Sequence, residues 1–183
     1  PHAVLPVFSN VGESIVPNQA RLPRIVVFGS AGLRQKTYET AGDKLFIWAK
    51  AASLEVHDIG APIEDMRLAK ALLAKGVIQH GRLEEAEVGQ LLDGALFGLL
   101  AYPVEYVAKS SVFAAYAAHG LCTVLISNSY FPADGLVVNY HYLSGVPDNS
   151  VSVDATSVGQ RAWKWYQPHN ILAHLNAISQ FSK

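Results

Sequence analysis

The chain is poor in sulfur and poor in charge. Of 183 residues one is cysteine, one is methionine and 16% are charged. With Cys122 as the only thiol, no disulfide forms within the chain, and a cysteine-built metal site is not expected. A basic excess is also missing. Fourteen Lys and Arg against fifteen Asp and Glu leave a formal charge of −1, and the sequence pI is near 6.8. Nucleic-acid binding needs a cationic footprint that displaces counterions from phosphates, so that class is set aside. No run of about 18 apolar residues exists to span a bilayer. Contact with a membrane surface is left open. The apolar opening Ala3–Phe8 follows no initiator Met and lacks the basic leader and cleavage region of a signal peptide. A reducing, cytoplasmic setting fits these absences. What is present is apolar: 50% hydrophobic residues and a mean hydropathy of +0.19 describe a folded chain rather than a disordered one. The length suits one domain with a sizeable core. So little charge also suggests surface held against a partner or a further segment.

Residues 1–24 read as a lead-in, with Pro1, Pro6, Pro17 and Pro23 breaking regular structure, Asn10-Val11-Gly12 forming a turn and a short strand near Val4–Phe8. From 25 to 183 the text is regular. Strands are expected at 25–29, 54–59, 77–80, 95–101, 122–126 and 136–142. They alternate with helices at 37–53, 62–75, 84–92 and 110–119, and two more follow at 156–167 and 171–181. Such alternation means βαβ units with right-handed crossovers. The fold class expected is α/β: a doubly wound, mainly parallel six-stranded sheet with helices on both faces. In the order 3-2-1-4-5-6, the first and fourth strands flank the switch point, and a ligand crevice opens beyond their carboxyl ends. The loops after Phe28 and after Ala101 should line it.

The first of these loops is Gly29-Ser30-Ala31-Gly32-Leu33-Arg34-Gln35-Lys36. Its glycines permit close backbone approach, and Ser30, Arg34 and Lys36 suit an anion near a helix N-terminus. The spacing of Gly29 and Gly32 matches neither G-x-G-x-x-G nor a Walker A loop. A plain Gly/Ser turn with two solvated cations is the alternative. The second is Tyr102-Pro103-Val104-Glu105-Tyr106-Val107-Ala108-Lys109-Ser110-Ser111, where an ammonium and two hydroxyls meet the start of a helix. Here the alternative is a serine that merely caps the helix. Two hydroxyl-bearing cationic loops at one crevice favour a phosphorylated ligand. Gly81, Arg82 and Leu83 follow the third strand and would touch a base or sugar, or simply form a turn. His119 reads as a helix-end or core residue. His57, His141, His169 and His174 show no metal-ligand spacing.

Over residues 5–183 the sequence resembles the carboxyl-terminal, nucleotide-sugar-binding half of a GT-B glycosyltransferase, nearest to the group 1 (family 4) type. The resemblance rests on the lead-in Leu5–Gly12, the strand and loop Ile25–Lys36, the Gly81 turn and above all Ala95–Ser127. In that last stretch an apolar strand, Tyr102-Pro103, Glu105, a small-residue helix ending His119-Gly120 and the strand Thr123–Ser127 follow the family order. It implies that residues 1–24 connect to an N-terminal acceptor domain and that 25–183 bind the donor. Arg34 and Lys36 would then meet the donor diphosphate. Glu105 and Lys109 would be the catalytic residues, in the loop that meets the donor's sugar and phosphates, and Lys109 with Arg34 and Lys36 would stabilise charge on the departing diphosphate. Gly29, Ser30, Gly81, Arg82, Leu83, Tyr102, Ser110 and Ser111 would contact diphosphate, sugar or base. The nucleotide-diphosphate sugar is a substrate, and no cofactor or metal is implied. One departure stands out. With Gly120 aligned on the family's helix-terminal glycine, the two acids of its E-x7-E pair fall on Val107 and Ala115, and Glu105 is offset by two.

Two other classes compete. An NAD-linked oxidoreductase or epimerase would use Asp58 on a ribose. Asp58 lies 29 residues beyond Gly29, against the usual ~20, and no Tyr-x-x-x-Lys pair is evident. A non-catalytic flavodoxin-like module of receiver type wants acids at the strand ends, where this chain has Gly29, His80 and Tyr102.

Overall fold

Short apolar runs closed by glycine or polar turns become buried parallel strands, because helices cover both faces of the sheet. The computed structural model describes residues 5–18, 20–129, 131, 134–148 and 154–181. In chain order its elements are β1 (Leu22–Phe28), α1 (Ala31–Ala51), β2 (Glu55–Ile59), α2 (Met66–Ala74), β3 (Ile78–Gly81), α3 (Glu85–Gly94), β4 (Ala95–Ala101), α4 (Ser111–Ala118), β5 (Cys122–Ile126), β6 (Tyr142–Ser144), α5 (Ala155–Tyr166) and α6 (Ile171–Phe181). Short 3-10 segments at Val104–Lys109 and Gln167–His169 complete the series. The six strands form one sheet, all parallel, in the order β3-β2-β1-β4-β5-β6. The doubly wound order expected from the alternation is thus the one found.

Side chains alternate across each strand and divide the core in two. Ile25 and Val27 pack with Leu45 and Trp48 of α1 and Leu72 of α2, whereas Val26 packs with Leu92 of α3 and Phe113 and Tyr116 of α4. Gly98 in β4 is where Tyr116 comes closest: a Cβ there would lie 2.5 Å from the ring. The ring takes the space that a side chain would need.

Element starts follow cap chemistry rather than hydrophobic onset. Ser30 Oγ accepts from Leu33 N, so α1 begins at Ala31 rather than at Thr37. Asp65 accepts from Arg67 N and Leu68 N, and α2 begins there instead of at Pro62. The sixth strand is Tyr142–Ser144, not 136–142. Residues 137–141 are drawn into a turn in which His141 N donates to Val137 O (2.9 Å) and Val137 N donates to His141 Nδ1 (2.9 Å). At the lead-in, Val4 lies outside the described residues, and Leu5–Phe8 is not a strand; Val7 N donates to Ala108 O instead. Further on, the lead-in packs against the amino-terminal end of the sheet. His119, buried at the end of α4, binds Asp93 through Nδ1 (2.8 Å) and the Val11 carbonyl through Nε2 (3.2 Å). Arg21 donates to the carbonyls of Ala95 and His119, both at 2.6 Å. Among the described residues, no helix is long and apolar enough to cross a membrane.

Candidate functional site

Where β1 and β4 diverge, their last backbone donors lose their ladder partners. Two side chains take them. Tyr116 Oη accepts from Phe28 N and donates to Val26 O, both at 3.0 Å. Burial pushes this hydroxyl well above the ordinary tyrosine range, so it remains a donor. From the other face, Thr37 Oγ1 accepts from Ala101 N (3.1 Å) and donates to Leu33 O (2.8 Å). The carboxyl end of the sheet is thereby split into two halves.

On the β4–β5 side lies an open cleft of about 370 Å³. Lys36 and Thr40 of α1 form one wall, Tyr102, Pro103 and Glu105 a second, and Ser127, Asn128 and Ser129 a third. Lys36 is exposed and makes no salt bridge among the described residues. Glu105 sits in the first turn of the 3-10 segment, and its Oε2 is buried without a hydrogen-bond partner among the described residues. A buried carboxylate oxygen left bare is costly, and a ligand donor would relieve it. Ser127 Oγ accepts from both Val104 N and Ser129 N, each at 3.1 Å, and so ties two walls together.

The β1–β2 side is closed. Arg34 is 1% exposed; its guanidinium donates to Asp58 Oδ1, to Ala61 O and, from Nε at 3.0 Å, to Gly29 O. Gly60 N donates to Gly81 O at 2.9 Å. There is no room beneath this knot, since a Cβ on Gly60 would lie 2.4 Å from Gly29 O. Further out, His57 Nδ1 and His80 Nε2 meet at 2.9 Å, and His57 Nε2 contacts Glu55 Oε2 at 3.1 Å.

The residues singled out from the sequence therefore separate. Lys36, Tyr102 and Glu105 meet in one cleft. Arg34 lies inside the fold, and Asp58, the ribose ligand of the oxidoreductase reading, is buried against it. Two positions apart on a helix is about 200° of rotation, which sends Arg34 inward and Lys36 outward. Ser30 and Ser110 use their hydroxyls as caps, Ser110 Oγ accepting from Phe113 N at 3.2 Å. Ser111 is the exposed first residue of α4. The Lys109 ammonium lies over the Tyr106 ring, 5.3 Å from its centre. Gly29 and Gly81 close the β1–β2 side, with Arg82 exposed and Leu83 half-buried after them. Sequence reasoning missed Thr40 and the Ser127–Ser129 wall. The signal was there: a polar triplet directly after an apolar strand, at the sheet end where ligands bind. Among the described residues, no group of three or more His, Cys, Asp or Glu is placed to hold a metal ion.

No protein-family model matches the sequence, and no curated protein matches it. Solved structures do. The C-terminal domain of a group 1 family glycosyl transferase (LpcC) from Francisella tularensis superposes with a TM-score of 0.57 at 13% identity, over 82% of this chain and 85% of that one. The pneumococcal O-GlcNAc transferase GtfA, in complex with UDP and GlcNAc, gives 0.61 at 11% identity over 96% of this chain. AviGT4, a glycosyltransferase involved in avilamycin A biosynthesis, gives 0.61 at 13% over 98%. The chain spans 37% of the length of GtfA and 56% of that of AviGT4. The six-stranded parallel sheet and its surrounding helices thus have the Rossmann-like fold of GT-B glycosyltransferase carboxyl-terminal domains.

Proposed function

We propose that this chain is the donor-binding half of a glycosyltransferase that takes a nucleotide-diphosphate sugar. The acceptor would be held by an N-terminal domain, with residues 1–24 as the connection and 25–183 as the donor domain. The observation that carries the reading is the cleft itself: among the described residues, an ammonium at Lys36 without a salt bridge stands across from a carboxylate at Glu105 whose buried oxygen has no hydrogen-bond partner. A cation and a bare acceptor in one polar cleft suit a ligand with an anionic end and a hydroxyl-bearing end. The fold likeness to glycosyltransferases, one of them holding UDP and GlcNAc, points the same way. In this reading Lys36 meets the diphosphate, Glu105 accepts from sugar hydroxyls and Tyr102 packs beside them. Lys109 and the α4 start at Ser110-Ser111 flank the phosphates. As the bond from the sugar to the β-phosphate breaks and the acceptor oxygen bonds the sugar, charge gathers on the departing nucleoside diphosphate. Lys36 and Lys109 stabilise it electrostatically. The acceptor's proton leaves to a base outside this chain.

The test is calorimetric titration with UDP-, GDP- and ADP-glucose beside the matching diphosphates. Binding of none of them at millimolar concentration overturns the reading. Lys36→Ala should weaken diphosphate and diphosphate sugar alike, by about tenfold. Glu105→Gln should weaken only the sugar-bearing ligand. Equal losses in Glu105→Gln would remove Glu105 from the sugar.

A further inference from the structure

Ser127 joins the two segments of the cleft that carry no cation. Its Oγ accepts from Val104 N and from Ser129 N, 3.1 Å each. The first contact crosses 23 residues of chain and pins the backbone immediately before Glu105. The second closes the turn that follows β5. A hydroxyl has two acceptor lone pairs and one proton. Both lone pairs are filled by backbone donors, so Ser127 has only its proton left to offer. Ser127 lines the 370 Å³ cleft and also a smaller cavity of about 60 Å³, bounded by Leu125, Val138 and Tyr142 among others.

We infer that Ser127 is the positioning residue of the cleft: it holds the Val104–Glu105 backbone so that the Glu105 carboxylate faces the ligand. A fixed carboxylate acceptor matches a sugar hydroxyl, which has a proton to give. It does not match a phosphate, which only accepts at neutral pH. The inference rests on the donor-site reading above and assigns Glu105, held by Ser127, to the glycosyl portion of the ligand.

The experiment compares wild type, Ser127→Ala, Ser127→Thr, Glu105→Gln and the Ser127→Ala/Glu105→Gln double variant. Whichever of UDP-, GDP- or ADP-glucose binds wild type is titrated beside its own diphosphate. The readout is the ratio of the two affinities, the increment due to the sugar. Ser127→Ala should reduce that increment by about tenfold and leave the diphosphate unchanged. Ser127→Thr keeps the hydroxyl, has the small cavity to take its methyl, and should restore the increment. In the double variant the loss should be little more than in Glu105→Gln alone, because one residue acts through the other. Fully additive losses, or an equal loss of diphosphate affinity, overturn the positioning role. Amide hydrogen exchange on the unliganded protein supplies an independent reading. Val104 N–H should exchange faster in Ser127→Ala and normally in Ser127→Thr; unchanged exchange in Ser127→Ala overturns the inference. If wild type binds no diphosphate sugar, the donor-site reading and the sugar assignment fall together, and the exchange result alone decides whether Ser127 holds Val104.

Discussion

The two halves of the sheet's carboxyl end contain the same chemical pair and use it in opposite ways. On the β1–β2 side a cation and an acid, Arg34 and Asp58, are buried in contact, and the guanidinium is also shared with two backbone carbonyls. The Asp58 carboxylate has its counterion in the Arg34 guanidinium. On the β4–β5 side Lys36 and Glu105 share a cleft, and neither makes a salt bridge among the described residues. Charge that the fold itself neutralises stabilises the fold. Charge left unneutralised at the edge of a cleft is available to a ligand. The distinction turns on what each group touches, not on the type of residue.

The sharpest way to break this comparison is Arg34→Ala. It strands a buried carboxylate, at a cost of about 3–5 kcal/mol. Lys36→Ala, on an exposed side chain, should stay within about 0.5 kcal/mol of wild type. Urea denaturation measures both. Replacing the whole pair, Arg34→Met with Asp58→Leu, should recover much of the loss, since the stranded charge goes with it. A mild effect of Arg34→Ala on folding would mean that the closed half is not held by this pair.

Tyr116→Phe probes the boundary between the halves. It removes the hydroxyl that serves Phe28 N and Val26 O where β1 and β4 part. The ring stays, so packing against Gly98 is kept and the cost is that of unpaired backbone groups, about 1–3 kcal/mol. A loss near zero in denaturation would show that the strand ends find other partners, and that the split is not maintained by this side chain.

How much of this was legible in the sequence differs between strands and site. The bounds of β4 and β5 read directly because Ala95–Ala101 and Cys122–Ile126 are unbroken apolar runs between turns. The starts of α1 and α2 did not, because a single side-chain cap outweighs hydrophobic onset, and Ser30 and Asp65 are the caps. That one shift also hid the fate of Arg34. Read as part of a loop, Arg34 and Lys36 look equivalent; read on a helix capped at Ser30, they face opposite ways. The partner of Arg34 lies 24 residues on, across the strand pair β1–β2, and no local pattern announces it. Lys36, Tyr102 and Glu105 were legible because topology points to the strand ends. Ser127 could be read only as part of the polar triplet after β5; its contact with Val104 exists only once β4 and β5 are side by side.

The smallest expected effect is a pH dependence belonging to the closed half. His80, at the end of β3, is held below the ordinary histidine range by burial first, and then by the neighbouring His57 and Arg24; Asp58 opposes this. His80 Nε2 and His57 Nδ1 meet at 2.9 Å, so one nitrogen accepts while the other donates. A group whose folded pKa is depressed binds protons more readily in the unfolded chain. The stability it contributes is complete above the unfolded value of about 6.5 and falls as pH drops through the lowered folded one. Denaturation midpoints should therefore decline from pH 7.5 to pH 5, and His80→Gln should flatten that decline. Lys36→Ala, in the open half, should leave the slope as it is. A slope unchanged in His80→Gln would assign the acid sensitivity elsewhere, and the contact between the two rings would then be packing without a proton-linked role.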